Sequence, residues 1–308
     1  MKIVKANEVI DVSTLNILIY GEPGSGKTSL ACTASNPLIL DFDNGAHRSA
    51  FRKDTLIIDT WASIVNEAKE FYDIISRYDT IVMDTVDTCL DYIGVYIVSQ
   101  DPKLAKNKLQ FYGRLKDEFT NFINRLKTMK KDIIMVAHVK EKDEGDARIK
   151  RPAITGGSYD RVLQVADQVG YLYIENKNRV LNFDPNEFWI GKNSAGIPQQ
   201  NIPNFVEDQT YMDSLIKKMR DKLCGDVIKQ QEAIKTVSEY QSKVIKANSL
   251  EELNNIIQEI KGFSEAIKRQ IWVKVQEAGN RLGADFDKTS KQFIAKPLQN
   301  GEKAKPDK

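Results

Sequence analysis

The sequence predicts an α/β fold with a mainly parallel central sheet over residues 1–224, followed by a small all-helical module over 225–285 and a flexible basic tail over 286–308. Three observations carry that prediction. Short apolar runs that end in glycine, acid or histidine alternate with helical periodicity through the first two thirds of the chain. A glycine-rich turn joins the first of these runs to a helix, and beyond Gly225 only helical stripes remain.

The turn is Gly21-Glu22-Pro23-Gly24-Ser25-Gly26-Lys27-Thr28, preceded by Ile17-Leu18-Ile19 and followed by Ser29-Leu30-Ala31-Cys32. It fits G-x-x-x-x-G-K-[ST] in the strand–loop–helix setting that the pattern needs. Gly21, Gly24 and Gly26 let the backbone turn tightly and aim N–H groups inward, and the helix N-terminus adds positive potential. Residues Gly21, Glu22, Pro23, Gly24, Ser25, Gly26, Lys27, Thr28 and Ser29 are therefore the candidate cradle for the phosphates of ATP. Lys27 is placed to reach the β- and γ-phosphates, and the Thr28 hydroxyl to hold Mg²⁺.

Residues 1–14 read as an edge strand or a packing arm. After the loop helix, Pro37-Leu38-Ile39-Leu40-Asp41-Phe42-Asp43 reads as a buried parallel strand with acids at its carboxyl end, where open α/β sheets bind ligands. Two readings stay open for its acids. Asp43 is the base that polarises a hydrolytic water, or it caps the Asn44-Gly45 turn, the reading that fits Asp41 better. Leu56-Ile57-Ile58-Asp59 is a further short strand, and residues 62–77 place Ile64, Ala68, Phe71, Ile74 and Ile75 on one helical face. Asp79-Thr80-Ile81-Val82-Met83-Asp84 is a hydrophobic strand ending in an acid. Downstream of a phosphate loop, that assigns Asp84 to the Mg²⁺ ion. Thr85 and Asp87 suit an N-cap and first-turn acid of the next helix.

Between Lys103 and Lys131, basic residues are interleaved with Phe111, Tyr112, Phe119 and Phe122. This pattern fits a strand-tracking nucleic-acid surface, or an amphipathic helix whose core face is Leu115, Phe119, Phe122, Ile123 and Leu126. Ile133-Ile134-Met135-Val136-Ala137-His138 is the next buried strand. His138 is a candidate sensor of the γ-phosphate or a hydrogen-bonded core histidine, and with His47 the only other one, a histidine metal site is not expected. Residues 139–157 form a polar excursion too long for an ordinary connection, expected as a mobile loop. Its bases Lys140, Arg148, Lys150 and Arg151 are the candidate DNA contacts, and Thr155-Gly156-Gly157 closes it.

In the last third, residues 208–223 read as a closing helix, with a boundary at Gly225. Three stripes come next: Val227, Ile234, Val237, Val244 and Ile245; then Leu250, Leu253, Ile256, Ile257 and Ile260; then Ile267, Ile271, Val275, Ala278 and Leu282. Ser249 with Glu252 makes a capping box, and Gly262 and Gly283 sit at helix ends. Composition sets outer bounds. A net charge of +2 makes no global statement about nucleic acid, and three scattered cysteines support neither a disulfide framework nor a Cys-rich zinc site. No apolar run approaches a membrane span and no signal-peptide core opens the chain, so the cytoplasm is expected.

The order of these motifs, from about Asn16 to Pro198, resembles the RecA/RadA recombinase core. GEPGSGKTSL, LILDFD and IVMDT match its phosphate loop, catalytic-acid strand and metal strand, and ITGGSYDRVLQVADQVGYLYI its TTGG-helix-strand passage. The resemblance implies a RecA-like P-loop NTPase core hydrolysing ATP with Mg²⁺. Asp43 stands at the position of the catalytic glutamate, one methylene shorter, and His138 at the position of a glutamine that couples ATP to DNA. The segment after His138 is similar to the second DNA-binding loop. Lys192, in FWIGKNSAGIP, corresponds to a lysine that reaches a neighbouring subunit's γ-phosphate, while Ser194 replaces a second lysine found in some relatives.

The absence of flanking recombinase domains makes the chain most similar to phage-encoded RecA-like single-strand annealing and recombination proteins, which act in a bacterial host's cytoplasm. The resemblance further implies a DNA-stimulated ATPase that binds single-stranded DNA and promotes annealing or strand exchange. It also implies a homo-oligomer, ring or filament, with ATP between subunits. The alternatives are a nucleotide-switched DNA-binding protein with little turnover, and a helicase loader or motor. The C-terminal helices are expected to contact DNA, another subunit, or a single-strand-binding or replication protein.

Overall fold

The computed structural model describes residues 12–45, 51–144, 147–154 and 156–296. The expected edge strand through Ile3, Val4, Val9 and Ile10, together with His47, Thr155 and the tail from residue 297, lies outside them.

The apolar runs become strands β1 (Asn16–Gly21), β2 (Pro37–Asp41), β3 (Thr55–Ile57), β4 (Thr80–Asp84) and β5 (Asp132–Glu144). Between them lie helices α1 (Lys27–Ala31), α2 (Trp61–Asn66), α3 (Ala68–Ser76), α4 (Val86–Gln100) and α5 (Lys108–Thr128). The single helix expected over residues 62–77 is broken at Glu67, which leaves helical backbone angles. β6 (Ala147–Pro152) comes next, then α6 (Ser158–Val165), β7 (Gln168–Glu175), β8 (Asn178–Asn182), β9 (Lys192–Asn193) and β10 (Gln200–Ile202). The sheet order is β10-β8-β7-β1-β5-β4-β2-β3, with β6 paired to β5 and β9 to β7. From β7 across to β3 the pairs are parallel, and β8 and β9 run antiparallel to β7.

Parallel strands are covered on both faces, which is why they read as unbroken apolar runs. Alternation along β1 sends Leu18 and Tyr20 to the face covered by α3, α4 and α5. Ile17 and Ile19 go to the face where Leu30 and Ala31 of α1 pack. In α5 the buried positions are Leu115, Phe119, Phe122, Ile123 and Leu126, so the core-helix reading accounts for residues 113–128. The preceding stretch forms a short 3₁₀ helix, Pro102–Lys106, that buries Leu104.

Residues 139–157 differ from the expected mobile loop. β5 continues past the sheet edge to Glu144, and β6 returns antiparallel to it, Val139 opposite Pro152 through to Glu144 opposite Ala147. A ribbon that is exposed at its outer end and packs polar side chains on rings at its inner end has no hydrophobic alternation, so its sequence looks like a loop. The Gly156-Gly157 turn beyond it has a steric origin. Gly156 has φ +61°, and a Cβ there would meet the Tyr112 ring at 2.5 Å.

Contacts divide the chain between Cys224 and Gly225, and one helix, α7 (Tyr211–Lys246), runs through that division. The expected end of the closing helix near residue 223 is therefore replaced by continuation. A single helical glycine costs only about 1 kcal/mol, and Gly225 adjoins open space. In the second unit, Val237 and Val244 of α7 pack with α8 (Leu250–Glu259) and α9 (Glu265–Arg281), while Ile234 and Ile245 face solvent. Ser249 caps α8 by accepting from the Glu252 amide at 3.1 Å. The module is not all-helical, and the tail does not begin at residue 286. β11 (Ala284–Asp287) and β12 (Gln292–Ala295) form a hairpin that seats Phe293 in the helical core. Two four-residue strands are too short to leave a period in the sequence.

Candidate nucleotide-binding site

The site is assembled at the carboxyl ends of β1, β2, β4 and β5. Pairing sets Asp41 beside Asp84, Asp84 beside Val136, and Gly21 beside His138. The phosphate loop leaves β1 at Gly21, where the backbone approach is very close. A Cβ there would lie 2.1 Å from the Leu172 carbonyl oxygen. Gly24 and Gly26 have φ values of +76° and +96°, the left-handed region that glycine enters without steric cost.

Inside this loop Lys27 is 6% exposed, and its Nζ donates to the carbonyls of Gly21 and Glu22, both at 2.9 Å. Burial holds its pKa below the ordinary lysine range, opposed by Asp84, Glu22 and Asp87. The Thr28 hydroxyl donates to Asp84 Oδ2 at 2.8 Å. Burial pushes the Asp84 carboxyl up to about 6; Asp43 and Asp41 add to the rise, and the Thr28 hydroxyl and Lys27 oppose it. A buried carboxylate pressed by two more acids and touching a threonine hydroxyl is a donor set that a small, hard divalent cation would relieve, so these residues fit Mg²⁺. Among the described residues no group of three or more His, Cys, Asp or Glu is arranged to hold a metal alone. The nucleotide's own oxygens would complete the shell. The loop fits a triphosphate: left-handed glycines, a buried ammonium, and a buried Ser25 hydroxyl that lacks a hydrogen-bond partner.

Asp43 caps the Asn44-Gly45 turn. With Asp41 it accepts from the Gly45 amide, at 3.1 and 3.0 Å respectively, so the turn is capped, and it also lies close enough to raise Asp84. His138 sits at the loop's first glycine with Nδ1 buried and unpartnered, while its carbonyl accepts from the Ala153 amide at 2.8 Å. Lys192 is placed elsewhere. It pairs with Val169 near the amino end of β7, its Nζ donates to the Ala166 carbonyl at 2.5 Å, and it takes no part in this chain's own phosphate loop.

The four candidate DNA contacts all lie on the ribbon, each engaged differently. Lys140 turns back to the Ile154 carbonyl at 2.6 Å, and burial, then Arg151, lowers its pKa. Arg148 pairs with Asp143 at 3.2 Å and Glu141 at 3.7 Å on the surface. Lys150 lies over the Tyr171 ring at 5.4 Å and Arg151 over Tyr159 at 5.1 Å.

Two features escaped the sequence reading. Arg179 of β8 donates from Nε to the Ser25 carbonyl at 3.0 Å and bolts the back of the phosphate loop to the β7–β8 hairpin. Nothing local marks it, since the contact spans half of the chain. The second is an aromatic group, Tyr171, Tyr173 and Trp189, beside the loop. The two tyrosines are stacked with centroids 5.4 Å apart, and Trp189 lies 5.6 and 5.5 Å from them. The i, i+2 spacing of the tyrosines on a strand was the available signal.

A family model described as an AAA domain matches residues 13–195. That span takes in the phosphate loop, Asp84, His138, the ribbon and Lys192. Comparison with individual curated proteins gives no match.

Proposed function

The chain belongs to the AAA domain family, which makes residues 13–195 a P-loop ATPase domain, and from that premise we propose an ATP-dependent, single-stranded-DNA-binding recombination protein of RecA-like type. One observation carries the reading. Gly21, the first residue of the phosphate loop, is the register partner of His138, and the strand that carries His138 runs on without a break into the ribbon. Whatever moves the loop is felt one peptide away, at the root of the element that carries Arg148 and Lys150.

In this reading Lys27 and the loop amides hold the β- and γ-phosphates, and Thr28 and Asp84 hold Mg²⁺. Held by Thr28 and Asp84, the ion would supply positive charge against the negative charge of the phosphates. Asp43 orients the attacking water, and His138, whose Nδ1 lacks a partner, reports the γ-phosphate to the ribbon. The product is ADP and phosphate, and the work done on DNA is annealing or strand exchange by a homo-oligomer. Lys192, remote from its own phosphate loop, is the residue through which a neighbouring copy would complete the site. The C-terminal unit is the contact for a replication or single-strand-binding partner.

ATP turnover measured with and without single-stranded DNA tests this directly. Stimulation by DNA that disappears in Asp43→Ala supports the enzyme; turnover indifferent to DNA, with DNA affinity indifferent to ATP, overturns it. The Gly45 amide held by Asp43 favours a second reading, a nucleotide-switched DNA-binding protein with slow hydrolysis, because a carboxylate engaged in a turn is less free to orient a water. Under that reading DNA affinity depends on ATP while turnover stays low in both conditions.

A further inference from the structure

Between the phosphate loop and the ribbon lies a cleft of about 490 Å³. Glu22, Pro23 and Ser25 form one wall, Arg148 and Lys150 another, and Tyr171, Tyr173 and Trp189 the floor, with exposed Phe188 and Ile174 at the rim. We propose that this cleft is a base-stacking seat for single-stranded DNA, in which a base lies on Tyr173 and Trp189 while Lys150 and Arg148 take the adjoining phosphates. The inference deepens the DNA-binding reading above and rests on it.

Three features support it. The aromatic floor is preorganised. The Asn186 side chain accepts from the amides of Phe188 and Trp189 at 2.8 and 2.9 Å, and the Trp189 indole donates to the Asp184 carbonyl at 3.0 Å. The ribbon is stitched to the same turn, since the Lys150 amide donates to the Phe188 carbonyl at 2.8 Å and the Ile190 amide to the Lys150 carbonyl at 3.1 Å. Cations and rings are thereby held at one spacing, as a polymer with alternating bases and phosphates requires.

The third feature is charge. Lys150 lies over a ring, and the Tyr171 hydrogen bond above all raises its pKa, so it stays cationic at any physiological pH. The acids at the cleft include Glu22 in the wall, Glu175 acting on Tyr173, and the two surface partners of Arg148, Glu141 and Asp143. Exposed pairs such as these exchange readily for a phosphodiester.

The floor also lies on the other side of the sheet from the loop helix. Tyr171 packs with Leu18 and Tyr20, whereas Leu30 and Ala31 of α1 pack with Ile17 and Ile19. A nucleotide whose phosphates lean on the start of α1 therefore has the phosphate loop between itself and this cleft, which favours a polynucleotide over the base of that same nucleotide.

Binding of a short labelled oligothymidylate to the full chain with ATP and Mg²⁺ tests the seat, with ATP affinity measured in parallel. Trp189→Leu and Tyr173→Leu are each expected to weaken oligonucleotide binding about tenfold without changing its salt slope or ATP affinity. Oligonucleotide-induced quenching of tryptophan fluorescence should vanish in Trp189→Leu, and Trp189→Tyr, which keeps a ring, should restore affinity. Wild-type binding that both leucine variants retain overturns the seat and leaves the DNA reading standing. Loss of ATP affinity instead would assign the cleft to the nucleotide base, and no wild-type DNA binding in any nucleotide state would overturn both.

Discussion

Two regions share the carboxyl edge of this sheet and are built on opposite rules. Around β1 and β4 the charged groups turn inward. Lys27 and Asp84 are 6% and 5% exposed, and their polar atoms bind carbonyls and a hydroxyl of the loop itself. On the ribbon side Arg148 is 73% exposed and pairs with surface acids, while Lys150 and Arg151 lie over aromatic rings. The first arrangement makes charge costly unless a complementary ligand arrives, so ligand and protonation are strongly coupled there. The second costs little to rearrange, which suits a surface that must take and release a long anion.

The largest effect is expected of Lys27→Ala. Removing a preorganised cation from a dry site should lower ATP turnover by about 10²–10³-fold, read as phosphate release, and a loss under tenfold would place the chemistry elsewhere. Next comes Gly21→Ala, whose new Cβ meets a carbonyl oxygen of β7 at 2.1 Å and must push the strands apart. A loss of about 3 kcal/mol in denaturant unfolding is expected. Gly113→Ala in α5, where a Cβ meets nothing within 4 Å, should instead add up to about 1 kcal/mol.

Asp84 gives the pH test. Below about pH 4 its carboxyl is protonated whether the chain is folded or not. Between that point and about 6 the folded chain keeps the proton that the unfolded chain releases. Stability is therefore lost as pH rises through this window, by on the order of 3 kcal/mol in all for a shift of about two units. Asp84→Asn should flatten that part of the thermal-stability profile, and parallel profiles for the two proteins would refute the assignment. Mg²⁺ should stabilise the nucleotide-loaded wild type more above pH 6 than below it. The smallest effect belongs to the ribbon. Arg148→Gln should cost under about 1 kcal/mol of stability, yet reduce the salt slope of single-stranded-DNA binding by about one.

The phosphate side was legible because its chemistry is local. Glycines and lysine at fixed spacing, and strands buried on both faces, write themselves into short windows of sequence. The ribbon side was not. Lys140 through Arg151 carries polar residues on both faces of a two-stranded projection, so no alternation separates it from a loop. Trp189 meets Tyr171 and Tyr173 only through the fold, and Arg179 finds Ser25 across half of the chain. The same contrast runs through the C-terminal unit, where the stripes of α8 and α9 were visible. The hairpin that brings Phe293 against Gly279, where a Cβ would meet its ring at 2.1 Å, was not.

Tyr20 joins the two regions in a single side chain. Its ring lies within the core 5.2 Å from Tyr171, and its hydroxyl donates to the carbonyls of Ile190, at 2.6 Å, and Lys150, at 3.2 Å. The residue precedes Gly21 on β1, so one phenol ties the strand end where the phosphate loop begins both to the returning arm of the ribbon and to the turn that holds Trp189.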